Sequence, residues 1–145
     1  MRFLELEVEA FQAIASAKLA FSPQLNVLYG PNDLGKSTLV TALRAALLVP
    51  PKSSEGTGYR SWFHDRHPRV SLTFEDADRS IWKVAKEFEE GKGSAELSHS
   101  KDGRHFTIDC KGREVEAPRD IDVLTPPDER VAGAGDVGAT HEQDA

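Results

Sequence analysis

Gly30-Pro31-Asn32-Asp33-Leu34-Gly35-Lys36-Ser37-Thr38 is the stretch that decides how the rest of this chain is read. Gly30, Gly35, Lys36 and Ser37 fall at the spacing G-x-x-x-x-G-K-[ST], that of a phosphate-binding loop. The two glycines let the backbone turn tightly and approach a polyphosphate without a side-chain clash. The loop N–H groups form an anion nest, backed by the positive end of the helix that follows. In this chemistry Lys36 reaches the β- and γ-phosphates, and the Ser37 hydroxyl ligates Mg²⁺.

The flanking residues fit that reading. Leu25-Asn26-Val27-Leu28-Tyr29 is a short, mostly apolar run that predicts a buried parallel strand. After Lys36 the period becomes helical, with Leu39, Leu43, Ala46 and Leu47 on one stripe and Val40 beside it. Pro50-Pro51 ends this helix near Val49. Upstream, residues 3–10 alternate Leu4, Leu6 and Val8 against Glu5, Glu7 and Glu9, as a strand does. Residues 17–21 alternate Ala17, Leu19 and Phe21 against Lys18 and Ala20. Residues 50–69 read as a polar loop that carries an aromatic cluster, Tyr59-Arg60-Ser61-Trp62-Phe63. Strands at 69–75 (Val70, Leu72 and Phe74 inward) and 81–88 (Trp82, Val84 and Phe88 on one face) follow, then weaker ones at 94–99, 105–110 and 113–116. Together, 69–116 reads as an antiparallel β meander. The expected fold is α/β with α+β character.

The 145 residues are 39% hydrophobic and 29% charged, a globular composition for one domain or part of one. The net charge of −6 is uneven: residues 117–145 hold seven acids and two bases, so the preceding body is close to neutral. That body offers no basic patch for direct nucleic-acid binding. The acidic tail has the composition of a disordered segment. Its abrupt onset after Glu116 suggests a truncated reading frame. A single cysteine, Cys110, fits a reducing compartment, and it alternates with Phe106 and Ile108 like a core residue. No apolar run approaches the ~20 residues that span a bilayer. The N-terminus alternates charge with apolar residues, unlike a signal peptide. A cytoplasmic protein is expected. His64-Asp65-Arg66-His67 lacks a third metal ligand and reads as a solvated loop.

Gly-Pro-Asn-x-x-Gly-Lys-Ser-Thr, preceded by Phe21-Ser22-Pro23-Gln24-Leu25-Asn26-Val27, resembles the N-terminal head segment of the SMC/RecF/SbcC-like ABC-type ATPases. The resemblance covers about residues 1–116: two strands with Phe11 between them, the loop, a helix, an arginine-bearing segment and an antiparallel β-subdomain. Asp33-Leu34 stands where that family has Gly, or Glu-Ala in one subgroup. The resemblance implies that Gly30 through Thr38 bind ATP, that Ser37 holds Mg²⁺, and that Arg60 lies near the nucleotide. From the residues alone, Arg60 reads as stacked on Tyr59 or Trp62. Lys86 sits on the Trp82/Val84/Phe88 face, where the family often has a cation. Its residue-level reading is a lysine snorkelling at a strand end. The implied organisation is a P-loop half-head, 1–49 as strand-loop-helix lobe, 50–69 as loop and 69–116 as β-subdomain, with an acidic tail at 117–145. Implied partners are a complementary head segment or a homodimer mate, with DNA engaged only through the assembled complex and no membrane.

The catalytic complement is missing from these residues. Walker B needs four apolar residues ending in Asp, then a catalytic Glu. Val70-Ser71-Leu72-Thr73-Phe74-Glu75-Asp76 alternates and has its acids reversed, and Val123-Leu124-Thr125-Pro126-Pro127-Asp128-Glu129 carries two prolines. There is no Ser-Gly-Gly signature, no identifiable Q-loop glutamine and no heptad run. The chain alone is therefore expected to bind ATP without turning it over. With the 25–29 strand lacking its neighbour, it is also expected to be oligomeric, partner-bound or marginally stable. Two alternatives are a complete small P-loop kinase, which needs alternating β/α units, and a non-catalytic interaction module with a relic loop.

Overall fold

In the computed structural model, residues 1–31 and 35–111 are described. Six strands form one sheet: β1 (Arg2–Phe11), β2 (Ile14–Ala20), β3 (Arg69–Glu75), β4 (Ile81–Glu87), β5 (Ser94–Ser100) and β6 (Thr107–Lys111). Their order is β2-β1-β3-β4-β5-β6, and each neighbouring pair is antiparallel. Among the described residues one α-helix, α1 (Lys36–Leu48), lies between β2 and β3 in sequence and packs on the sheet against β1, β3 and β4. The architecture is mixed α/β, with the antiparallel meander placed as its alternation predicted.

The alternating strands put their apolar residues on the helix side. Leu6, Val8, Val70, Leu72, Phe74 and Val84 are each at most 2% exposed. Leu6 stands opposite Leu19 and Leu72, and Leu72 opposite Val84, so one apolar row crosses four strands. The other face is polar and laced with ion pairs, including Lys18 to Glu5 and Glu7, Lys83 to Glu7, and Arg69 to Glu87. Of the α1 side chains, Ala42, Ala45 and Ala46 are wholly buried and Leu47 is buried at 7% exposure. The expected stripe thus meets the core through Ala46 and Leu47, with Leu39 and Leu43 packed against it and partly exposed, while Val40 faces solvent.

Two irregularities revise the predicted faces. A register shift between Phe3 and Glu5 brings Phe3, rather than Leu4, against the core opposite Phe74. A second shift between Leu97 and Ser98 leaves Cys110 packed on the core opposite Leu97 but turns Ile108 to the other face, where it is 48% exposed. Strict alternation from Phe106 to Cys110 does not survive this bulge.

The largest departure concerns residues 25–29. They are not a strand of this sheet. Leu25, Val27 and Tyr29 are 80%, 67% and 88% exposed, and no backbone hydrogen bond joins residues 25–29 to any other described residue. An apolar run becomes a buried strand only when another strand accepts its backbone groups, and none of the six lies there. The predicted strand 113–116 and the tail 117–145 fall outside the described residues.

Lys86 also departs from expectation. It is 6% exposed, and its Nζ donates to the carbonyls of Val49 at 3.0 Å and Ala45 at 3.3 Å. It does not snorkel; it caps the C-terminus of α1 from the neighbouring strand. The helix has no base of its own in its last turn, and Val49 closes it in an extended conformation before the prolines. Burial pushes the Lys86 ammonium down to a pKa of about 8.

That shift sets the sign of a pH dependence. A folded-state pKa below the ordinary 10.5 means the unfolded chain binds more protons between pH 8 and 10.5, so folding stability gains a rising contribution across that window. Urea denaturation as a function of pH is expected to show this rise in the wild type and to lose it in Lys86→Met. A second prediction concerns Gly93. A Cβ there would fall 1.9 Å from the Pro51 carbonyl oxygen, whereas one at Gly58 would meet nothing within 4 Å. Gly93→Ala is expected to cost more than about 2 kcal/mol and Gly58→Ala less than about 0.5, read by thermal melts.

Candidate phosphate-binding site at the start of the helix

Of the phosphate-loop residues, Gly30 and Pro31 are described ahead of Gly35, which leads directly into α1. Gly30 has φ 154°, and Gly35, the residue before the helix, is left-handed at φ 78°, ψ 20°. A side chain at Gly35 would be strained and would press on Ile14, whose Cγ1 lies 3.0 Å from the position of a Cβ. Asn32, Asp33 and Leu34 lie outside the described residues. The Lys36 ammonium folds back onto the loop, donating to the carbonyls of Gly30 and of Pro31, the latter at 2.7 Å. Ser37 is exposed, and its carbonyl accepts from the Thr41 hydroxyl at 3.0 Å. Thr38 is buried.

The electrostatics of this helix end are unusual. An α-helix leaves its first N–H groups without intrahelical partners, and a side-chain cap or an early carboxylate ordinarily meets them. Among the described residues there is no acid in the first turn and no side-chain cap. The positive end of α1 has a lysine and a hydroxyl beside it, the chemistry that receives an anion.

Three further residues shape this end of the molecule, and the motif alone did not reveal them. Asn26 clamps the turn before the loop: its Oδ1 accepts from the Ser22 amide at 2.7 Å and its Nδ2 donates to the Ser22 carbonyl at 2.9 Å. Ile14 buttresses Gly35 from the β1–β2 turn. Gln12, at φ 47°, holds the other side of the same turn to the segment after the helix. Its amide donates to the Tyr59 carbonyl, its side chain to the Gly58 carbonyl, and its carbonyl accepts from Trp62 N–H. An Asn in a turn and an apolar residue beside a hairpin are faint signals, since both are common for other reasons.

Arg60 sits in that clamped segment, paired to Phe11 by a β-bridge. The turn that touches Gly35 thus also carries Arg60. Its guanidinium is exposed and lies 3.6 Å from Asp65. Neither expected stacking partner is used: Tyr59 stacks on Phe11 with centroids 4.7 Å apart and meets Phe88 edge-on at 5.3 Å, while Trp62 and Phe63 are exposed. The Tyr59 hydroxyl donates to Glu55, and burial together with that carboxylate pushes its pKa up to about 12. His64, Asp65, Arg66 and His67 line an open groove of about 680 Å³ with Glu9 and Arg69, where acids and bases balance. No group of three metal-ligating side chains occurs among the described residues, and no helix among them is long and apolar enough to cross a membrane.

Comparison with known proteins adds two findings. A family model described as an AAA domain matches residues 5–122. The chain is also similar to the DNA double-strand break repair Rad50 ATPase of Methanopyrus kandleri, with 28% identity over 122 residues, 80% of this chain. The chain spans only 13% of that protein's length.

The geometry at Gly35 yields a ligand-independent prediction. Gly35→Ala must hold a side chain in the left-handed region against Ile14, and a loss of about 1–2 kcal/mol is expected. Chemical denaturation without nucleotide measures it, and an unchanged midpoint would contradict the local geometry.

Proposed function

This chain belongs to the AAA domain family, and from that premise we propose that residues 30–38 cradle the phosphates of ATP·Mg²⁺. The chain would be the N-terminal lobe of an SMC/Rad50-like ATPase head. The observation that carries the reading is the start of α1 at Gly35, Lys36 and Ser37, which among the described residues has no side-chain cap and no acid in its first turn. Gly30 through Thr38 would wrap the polyphosphate, with Lys36 exchanging the carbonyls of Gly30 and Pro31 for phosphate oxygens. Both are hydrogen-bond acceptors for the same ammonium, and the phosphate brings the charge. Ser37 would hold Mg²⁺, which would supply positive charge against the phosphates. Arg60, held on the turn that buttresses Gly35, would approach the nucleotide by leaving its weak pairing with Asp65.

Hydrolysis is a separate matter. No Walker B acid or signature motif is present in the 145 residues, so activation of the attacking water would fall to residues supplied from outside them. The exposed apolar run at 25–29 supports this division. Leu25, Val27, Leu28 and Tyr29 expose large side chains next to backbone groups that pair with no strand among the described residues, as expected of a strand whose partner lies on another segment or subunit. The assembled head would act in DNA repair, as the name of the Methanopyrus relative indicates for that protein. The all-antiparallel sheet weighs against a small kinase, which needs parallel strands and alternating helices.

Isothermal titration with ATP and Mg²⁺ tests the proposal. Saturable binding is expected, weakened at least about a hundredfold in Lys36→Ala, without release of phosphate by the chain alone. Absence of binding, or equal binding by the variant, would remove the cradle; phosphate release by the purified chain would remove the division of labour.

A further inference from the structure

We propose that Lys86, on β4, is a positioning residue for the phosphate loop, setting the helix that carries the loop by gripping its opposite end. The proposal rests on the reading of residues 30–38 as a nucleotide cradle and adds a determinant about 20 Å from it, the length of a 13-residue helix.

The argument begins with how α1 meets the sheet. Directional fit between a helix and its support comes from side-chain ridges seated in grooves. Along its buried centre α1 offers Ala42, Ala45 and Ala46, which bring the helix close but present little relief; Leu39 and Leu43 pack beside them partly exposed, and Leu47 is buried near the end. The alanine stretch fixes distance better than it fixes rotation or slide. Specific contacts at the two ends add to what the leucines supply in setting the orientation. At the N-terminal end, Gly35 abuts Ile14. At the C-terminal end, the Lys86 ammonium holds the carbonyls of Ala45 and Val49. These bonds are charge-assisted, short-ranged and directional, and their donor belongs to a strand far from α1 in sequence.

The grip is a costly arrangement for stability alone. A buried ammonium loses hydration, and a hydrophobic residue of similar volume in its place is commonly neutral or stabilising. What an apolar substitute cannot supply is the choice of which carbonyls face the strand. Because the hydrogen-bonded backbone of α1 is rigid, a shift at Ala45 and Val49 is carried to Lys36 and Ser37, where a misplaced N–H group no longer meets a phosphate oxygen. The meander and the loop are thereby mechanically joined through one amine.

The test compares wild type, Lys86→Met and Lys86→Arg in the full chain, by ATP·Mg²⁺ titration and by amide hydrogen exchange. Lys86→Met is expected to fold, to bind ATP about five- to tenfold more weakly, and to lose exchange protection in the first turn of α1 (residues 39–41) beyond any change in β3. Lys86→Arg, which restores the donors, is expected to recover binding. A folded Lys86→Met with affinity within about twofold of wild type, an Arg variant no better than Met, or an equal loss of protection in α1 and β3 would each overturn the proposal. If Lys86→Met does not fold, Lys86→Gln is read by the same criteria. If wild type itself binds no ATP, the nucleotide reading fails on its own account, and the selective loss of protection at residues 39–41 decides the role of Lys86.

Discussion

The pairing of β1 with β3 is the constraint on which the rest of this molecule depends. It joins Arg2–Glu9 to Arg69–Glu75 and so turns a hairpin and a meander, far apart in sequence, into one sheet. Only that joined sheet offers an apolar face wide enough for α1, which touches β1, β3 and β4 together. The register cannot slip by one residue without sending Leu6 and Val8 to the ion-paired face and glutamates into the core. The bulge near Leu4 adjusts the end of the pairing so that Phe3 meets Phe74.

From this frame the position of the phosphate loop follows. The connection from β2 to β3 must pass over the face beside β1, and α1 is the longest part of that connection that packs, followed by the segment ending at buried Tyr59. Its first residue emerges against the β1–β2 turn, where Ile14 meets Gly35 and Gln12 secures the segment bearing Arg60. A hairpin turn therefore sits between the candidate cradle and the candidate arginine. The two helix ends are treated in opposite ways. The start meets no side-chain cap among the described residues, whereas the finish is capped by a lysine from β4. Such a positive end suits a helix whose partner is an anion from outside.

Much of this was legible in the sequence because the signals were local. The period of two in 69–75 and 81–88, the helical period after Lys36 and the prolines at 50–51 placed elements to within a residue or two. What could not be read was set by pairing. Residues 25–29 have the composition of a buried strand, but burial requires a neighbour that local pattern does not guarantee. Alternation placed Ile108 beside Cys110 in the core, because a bulge leaves no mark in alternation. Lys86 looked like a surface cation near a strand end, since nothing in its neighbourhood announced that a helix terminus forty residues away lacked a cap. Of the candidate site, the loop was legible from spacing alone. Its supports were not: Ile14 and Gln12 act through contacts across the fold, and Asn26 through a local turn of a common kind.

The central claim is that the loop and the start of α1 receive the phosphates of a nucleotide. The most direct measurement is a crystal structure of the chain with a non-hydrolysable ATP analogue and Mg²⁺. The account predicts phosphate oxygens against the N–H groups at the start of α1, with the Lys36 ammonium moved from the carbonyls of Gly30 and Pro31 onto the phosphates. A Lys36 still bound to those carbonyls, with the analogue absent or seated elsewhere, would contradict it.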